Sequence, residues 1–322
     1  MGGGGPAPPP RTKAENAAVP LWADVVVDVG AGVVSACTVA IILMTFDMAV
    51  TQAAAGTVSL TGAVISGFKE LLLRPHLVLT KAPYWMVAGV YSATYAAANT
   101  IDSVMERVLD PASEKTPFIH GTAKLVGVTA TNMTASIAKD AAFARMFGNT
   151  AVGAKMPMAS YALFATRDVL TIGGAFTLPK ILANILVTTG TVGADHASET
   201  AQMISPIGMQ IICTPIHLSA LNAFNYPTAT LGERVANVAS LAPSTTLARM
   251  MRMAPAYGIG GVMNTSLTNK GRDAVLHHYV PHPEQKQMRA RGRSTVPGDK
   301  DDPLVGFGQY PALANKLSKA PG

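Results

Sequence analysis

The stretch Leu247-Ala248-Arg249-Met250-Met251-Arg252-Met253-Ala254-Pro255-Ala256-Tyr257-Gly258-Ile259-Gly260 places two arginines ahead of a proline and a run of small, apolar residues. Its central five residues have counterparts upstream. Met251-Arg252-Met253-Ala254-Pro255 follows Ala165-Thr166-Arg167-Asp168-Val169 by 86 residues, and that stretch follows Leu79-Thr80-Lys81-Ala82-Pro83 by 86 more. A second series, Phe46-Asp47-Met48-Ala49, Thr131-Asn132-Met133-Thr134 and Ile216-His217-Leu218-Ser219, recurs every 85 residues. Two landmarks with nearly one period imply tandem repeats. Each repeat reads as a long helix, a short surface helix and a second long helix.

Composition points the same way. Of 322 residues, 49% are hydrophobic and 14% charged, against about 25% charged in an ordinary soluble domain; the mean hydropathy is +0.28. Aromatics are scarce at 6%, while Ala, Gly, Val and Met abound, which suits helices packed closely through small residues in a bilayer. Six stretches reach the roughly 20 apolar residues that a span needs: about 23–53, 83–107, 119–147, 167–188, 200–229 and 247–277. The shorter stretches 61–72, 154–164 and 231–241 read as amphipathic surface helices. The expected fold is therefore an all-α membrane protein of six transmembrane helices in three pseudo-threefold repeats, with short surface helices. Around a membrane domain over 23–280, residues 1–22, rich in Gly and Pro, form an extended arm and 281–322 a polar, basic tail. The N-terminus holds no apolar core of the kind a secretory signal needs.

These landmarks resemble the mitochondrial carrier family, whose three repeats each end the odd helix with a proline followed by an acid and a base. Leu247 to Gly260 looks like the opening of that family's sixth helix, Arg167-Asp168-Val169 like that of the fourth, and Pro215 keeps the third signature proline. The acidic positions fall on Asp47, Asn132 and His217, while the basic ones fall on Val50, Ala135 and Ala220. Asp47 thus stands without its family partner, and the salt-bridge ring that closes the cavity is degenerate. The second ring, three turns into each even helix, is missing too. Loss of both gates weakens alternating access, which needs two closed states of comparable stability.

Polar residues in apolar helices are functional candidates because they are costly in lipid. Lys81, Arg167, Asp168, Arg249 and Arg252 lie where carriers contact solute, and the competing reading is that they snorkel to the interface or pair internally. Asp47, Asn132 and His217, with Pro215, mark the degenerate gate. Cys37 and Cys213 are isolated in apolar stretches and read as packing residues. No phosphate loop, nucleophile elbow, metal-ligand spacing or cofactor motif is present, so no enzyme, metal or cofactor is expected. The net charge of +6 is spread without a basic stripe, which argues against nucleic acid and for anionic lipid.

The resemblance implies the mitochondrial inner membrane and leaves two functions open. One is an accessory subunit of a respiratory complex or ATP synthase, its arm and tail holding neighbouring subunits and lipid such as cardiolipin. The other is a divergent transporter of a small anionic solute.

Overall fold

The structure is a computed structural model that describes residues 11–110, 113, 115–150 and 154–281. Among them the ordered elements are helices. In chain order these are α1 (Lys13–Ala18), α2 (Leu21–Ala54), α3 (Leu60–Leu73), α4 (Pro75–Leu79), α5 (Ala82–Val108), α6 (Thr116–Phe147), α7 (Met158–Thr188), α8 (Ala194–Gly208), α9 (Gln210–Asn225), α10 (Leu231–Met253), a π-helical turn over Ala254–Gly261, and α11 (Val262–Tyr279).

Local chemistry sets several of these boundaries. Thr12 and Glu15 form a reciprocal capping box at the start of α1, with Glu15 accepting from the Thr12 N–H at 2.8 Å. Thr230 and Glu233 repeat the device at α10. Each box satisfies amides that an α-helix leaves orphaned at its first turn. The Ser59 hydroxyl caps α3, and Pro75 opens α4 where its missing N–H is harmless. Over Ala254–Gly261, Pro255 withdraws one donor and three glycines add freedom, and the helix widens to π spacing there, as it does frequently at functional sites.

Two features depart from expectation. Only Leu21–Ala54 and Ile204–Asn225 are long and apolar enough to cross a membrane among the described residues. α5 and α6 fall short: Asp102, Glu106 and Arg107 crowd the end of α5, Lys124, Lys139, Asp140 and Arg145 are spread along α6, and Tyr, Thr, Ser, Asn and Gly dilute the apolar residues of both. Six transmembrane helices in three repeats is therefore corrected to a helical fold with two candidate spans. Nor do the repeats share one element pattern. The surface helix is separate in the first block, as α3, but residues 158–164 of the second stretch and all of 231–241 are the opening turns of α7 and α10. Within the arm, Lys13–Ala18 is helical rather than extended; residues 1–10, and 282–322 of the tail, lie outside the described residues.

The chain divides into two compact units. Among the described residues, the first comprises those within 11–36, 91–131 and 261–281. Its apolar contacts join Val19 and Ala23 to Leu276 and Val280, but polar groups do much of the joining. Asp28, fully buried, accepts from Ser103 Oγ at 2.6 Å and Arg272 Nε at 2.9 Å. Asn99 and Asn264 exchange side-chain hydrogen bonds of 3.0 and 2.9 Å. Arg107 donates to the carbonyl of Val19 at 2.7 Å and to that of Asn16, and pairs with Asp24, which also holds Arg11 at 3.0 Å. In the same unit Asp102 receives both His120 at 2.8 Å and Lys124 at 2.5 Å.

The second unit comprises Cys37–Val90 and Asn132–Gly260. Phe46, Val50, Leu60, Ala144, Phe164, Leu218, Leu221 and Phe224 belong to its apolar core. Within it α7 packs on α8 and α9, and α9 on α10. Small residues permit this closeness: a Cβ at Gly174 would meet the Met209 side chain at 2.5 Å. Sites of this kind are felt even by a single added methyl group.

Candidate functional site: a buried row of alternating charge

A set of charged and polar residues of the second unit gathers in its interior. Asp47 comes from α2, Lys139 and Asp140 from α6, Arg167 and Asp168 from α7, His217 and Gln210 from α9, and Arg249 and Arg252 from α10. Lys139 Nζ lies 2.6 Å from Asp47 Oδ2 and 2.8 Å from Asp140 Oδ1. Arg252 takes the other oxygen of Asp47. Arg167 Nη1 lies 2.5 Å from Asp140 Oδ2, and its Nη2 and Nε lie 2.6 and 2.9 Å from Asp168 Oδ1. The order is thus Arg252, Asp47, Lys139, Asp140, Arg167, Asp168, with each sign flanked by the other. Such pairing is what allows full charges to stay in an interior where a lone one would be expelled or neutralised.

Around this row the contacts are also specific. Arg167 Nη1 donates to His217 Nδ1 at 2.8 Å. A guanidinium has only donors, so Nδ1 must be the accepting nitrogen and the imidazole proton sits on Nε2. Phe164 lies under the Arg167 guanidinium at 5.3 Å, and Phe143 under Lys139 at 5.2 Å, within cation–π range. Arg249 Nε donates to Gln210 Oε1 at 3.1 Å. On α7, the hydroxyl of Thr171 bonds the Arg167 carbonyl at 2.9 Å and lies 3.2 Å from Cys213 Sγ. Cys213 is buried as a packing residue, and among the described residues no group of His, Cys, Asp and Glu could hold a metal ion.

Most of the residues singled out in the sequence meet here, but not as expected. Asp47 is not left without a base: Lys139 and Arg252, outside the carrier-type register, supply two. Lys81 does not join the row, since it pairs at 2.6 Å with Glu70 and both are about one-third exposed. Asn132 is half-buried on α6, two turns before Lys139. Pro215 lies inside α9, where its carbonyl accepts from Ser219 Oγ at 2.8 Å. Lys139 and Asp140 were missed. The available signal was the adjacent pair of opposite charges in Ile137-Ala138-Lys139-Asp140-Ala141-Ala142-Phe143, an apolar setting that only a partnered pair tolerates.

The fold and the site define a helical protein that keeps its charge chemistry in its interior. Over residues 31–271 the chain matches the family described as probable citrulline exporter, and it belongs to that family. No curated protein and no solved structure matches the chain. The family's description names export and no catalysed reaction.

Family membership corrects the earlier resemblance. Mitochondrial carrier landmarks rested on spacing and fragments, and the acid at Asp47 is paired through residues that the carrier pattern does not use. The accessory-subunit function, the anionic-solute carrier and the mitochondrial inner-membrane location were inferences from that resemblance. They fall with it.

Proposed function

We propose that this protein exports a small polar solute, with citrulline, the cargo in its family's description, as the first candidate. The observation that carries this reading is the extent of the family match: residues 31–271 take in every member of the charge row, from Asp47 to Arg252. The row is the part of the second unit chemically suited to a polar cargo.

The polarity of α2 supports the same reading. Trp22, Val26, Val29 and Val33 follow one another at spacings of four and three and are exposed, Trp22 and Val26 by 64% and 63%. Asp24, Asp28 and Ser35 on the same helix are buried. Apolar side chains turned outward with carboxylates turned inward invert the arrangement suited to water and match that suited to lipid.

The test is counterflow. Full-length protein reconstituted into phospholipid vesicles and preloaded with unlabelled citrulline is expected to accumulate labelled citrulline transiently, above protein-free vesicles. Equal uptake by both kinds of vesicle, with folded protein shown to be present, would sink the assignment of citrulline as cargo.

A further inference from the structure

Three positive and three negative groups balance along the buried row. Arg249 stands beside it as a fourth cation. It is 7% exposed, and among the described residues its only hydrogen bond is the one from Nε to Gln210; no carboxylate lies within ion-pair distance. Its electrostatic neighbours include Arg252 and Arg167, of like charge. Its terminal nitrogens hold no carboxylate and are not among the enclosed polar atoms, so they are open to an anion that enters from outside the row.

An opposite demand occurs at the end of the row. Asp168 uses Oδ1 on Arg167, but its Oδ2 is buried with no donor. Two hydroxyls in the same state lie close in sequence to these residues. Thr214 Oγ1 is one turn from both Gln210 and His217 on α9, and Thr245 Oγ1 is one turn before Arg249 on α10; both are buried and unpartnered. Buried polar atoms are nearly always satisfied, so such atoms on α7, α9 and α10 together are unusual. Arg167 neighbours both: it bonds Asp168 and feels the like charge of Arg249.

From these unmatched groups of opposite sign we infer that Arg249 and Asp168 are the two poles of a site for a free amino-acid zwitterion, with Arg249 taking the α-carboxylate and Asp168 Oδ2 accepting from the α-ammonium. This deepens the export reading and rests on it only for the direction of traffic. A planar guanidinium suits a carboxylate bidentately, and a carboxylate oxygen suits an ammonium. Thr214 and Thr245 are left to hydrogen-bond a polar side chain. The two demands have opposite sign, so a simple anion or a simple amine meets only half of the site.

Ligand-dependent thermal stabilisation of the purified full-length protein tests this without requiring transport. The probes are citrulline, Nα-acetylcitrulline, citrulline amide, and glycine and ornithine as other zwitterions. At least one zwitterion is expected to stabilise the protein with a saturable apparent Kd. Capping either its amine or its carboxylate is expected to raise that Kd at least about a hundredfold, as for sites built to bond a group that the analogue lacks. In Arg249→Gln the penalty for amidation is expected to vanish while the penalty for acetylation persists; Asp168→Asn does the reverse. Should either variant fail to fold, the probe series on the natural protein still decides.

Citrulline that binds no more tightly than both of its capped forms overturns the proposal and leaves export standing. Glycine or ornithine binding with the double requirement while citrulline does not bind would support the proposal and remove citrulline as cargo. If no zwitterion binds, the site assignment is overturned.

Discussion

Arg167 is the keystone of the charge row, because it answers two acids at once and lies 4% exposed. Replacing it with methionine keeps most of its volume but leaves Asp140 with Lys139 alone and Asp168 with no cation. Breaking a buried pair from one side typically costs about 3–5 kcal/mol, and Arg167→Met is expected to lose that much stability in a denaturant titration. Arg249→Gln orphans no acid and removes only one charged hydrogen bond, worth about 1.5–3 kcal/mol. Finding Arg167→Met as stable as the natural chain would mean that the row is not a paired interior network. The sequence made Asp47, Arg167, Asp168, His217, Arg249 and Arg252 legible as polar residues in apolar surroundings. Their pairing was not legible, because ion pairs between α2, α6, α7 and α10 join residues up to 205 positions apart. Lys81 shows the converse error: a cation next to a helix start resembles its neighbours in sequence, yet local chain geometry gives it Glu70, 11 residues away.

Helix boundaries followed local chemistry where that chemistry was decisive. The reading of 61–72 against Leu60–Leu73 and of 83–107 against Ala82–Val108 differs by one residue at each end, because Ser59 caps α3 and α5 begins beside Pro83. Residues 158–164 belong to α7 because Met158-Ala159-Ser160-Tyr161-Ala162-Leu163-Phe164 contains no breaker, whereas the repeat spacing implies a boundary after 164. Stretch 200–229 divides at Met209, just after Pro206 and Gly208, two residues that weaken a helix. Local chemistry also makes a prediction for α10. The backbone N–H of Thr230, and then its hydroxyl, donate to Glu233 and hold that carboxyl below its usual range. A carboxyl with a lowered folded pKa stabilises above its unfolded pKa and loses that contribution as pH falls through the folded value. Thr230→Ala is expected to lower the thermal midpoint at neutral pH, and the difference between variant and natural chain should shrink in acid below the ordinary glutamate range. Thermal midpoints measured across pH check this. A constant difference down to the lowest pH would show that the Thr230 hydroxyl contributes nothing through ionised Glu233.

At the level of the whole molecule, polar side chains do much of the fastening within each unit, beside an apolar core in the second. In the first unit the buried apolar cluster is small, and Asp24, Asp28, Asn99, Arg107, Asn264 and Arg272 carry much of the joining between segments far apart in sequence. None of this could be read from hydropathy, which averages such residues into the apolar runs around them and registers their cost but not their partners. If these contacts are the fastening, one side chain should matter over a wide span of chain. Arg107 binds the carbonyls of Asn16 and Val19 and the carboxylate of Asp24, so it fixes α1 and the start of α2 to the end of α5. Arg107→Leu keeps an apolar stem but leaves two carbonyls without their donor, although Asp24 retains Arg11. Amide hydrogen exchange over residues 13–24 is expected to accelerate at least about tenfold, equivalent to about 1.4 kcal/mol, with smaller gains along 91–108. Amides of Met158–Thr188, which belong to the other unit, should keep their protection. A uniform rise across both units would show instead that the chain opens as one cooperative body, and that Arg107 stabilises it globally.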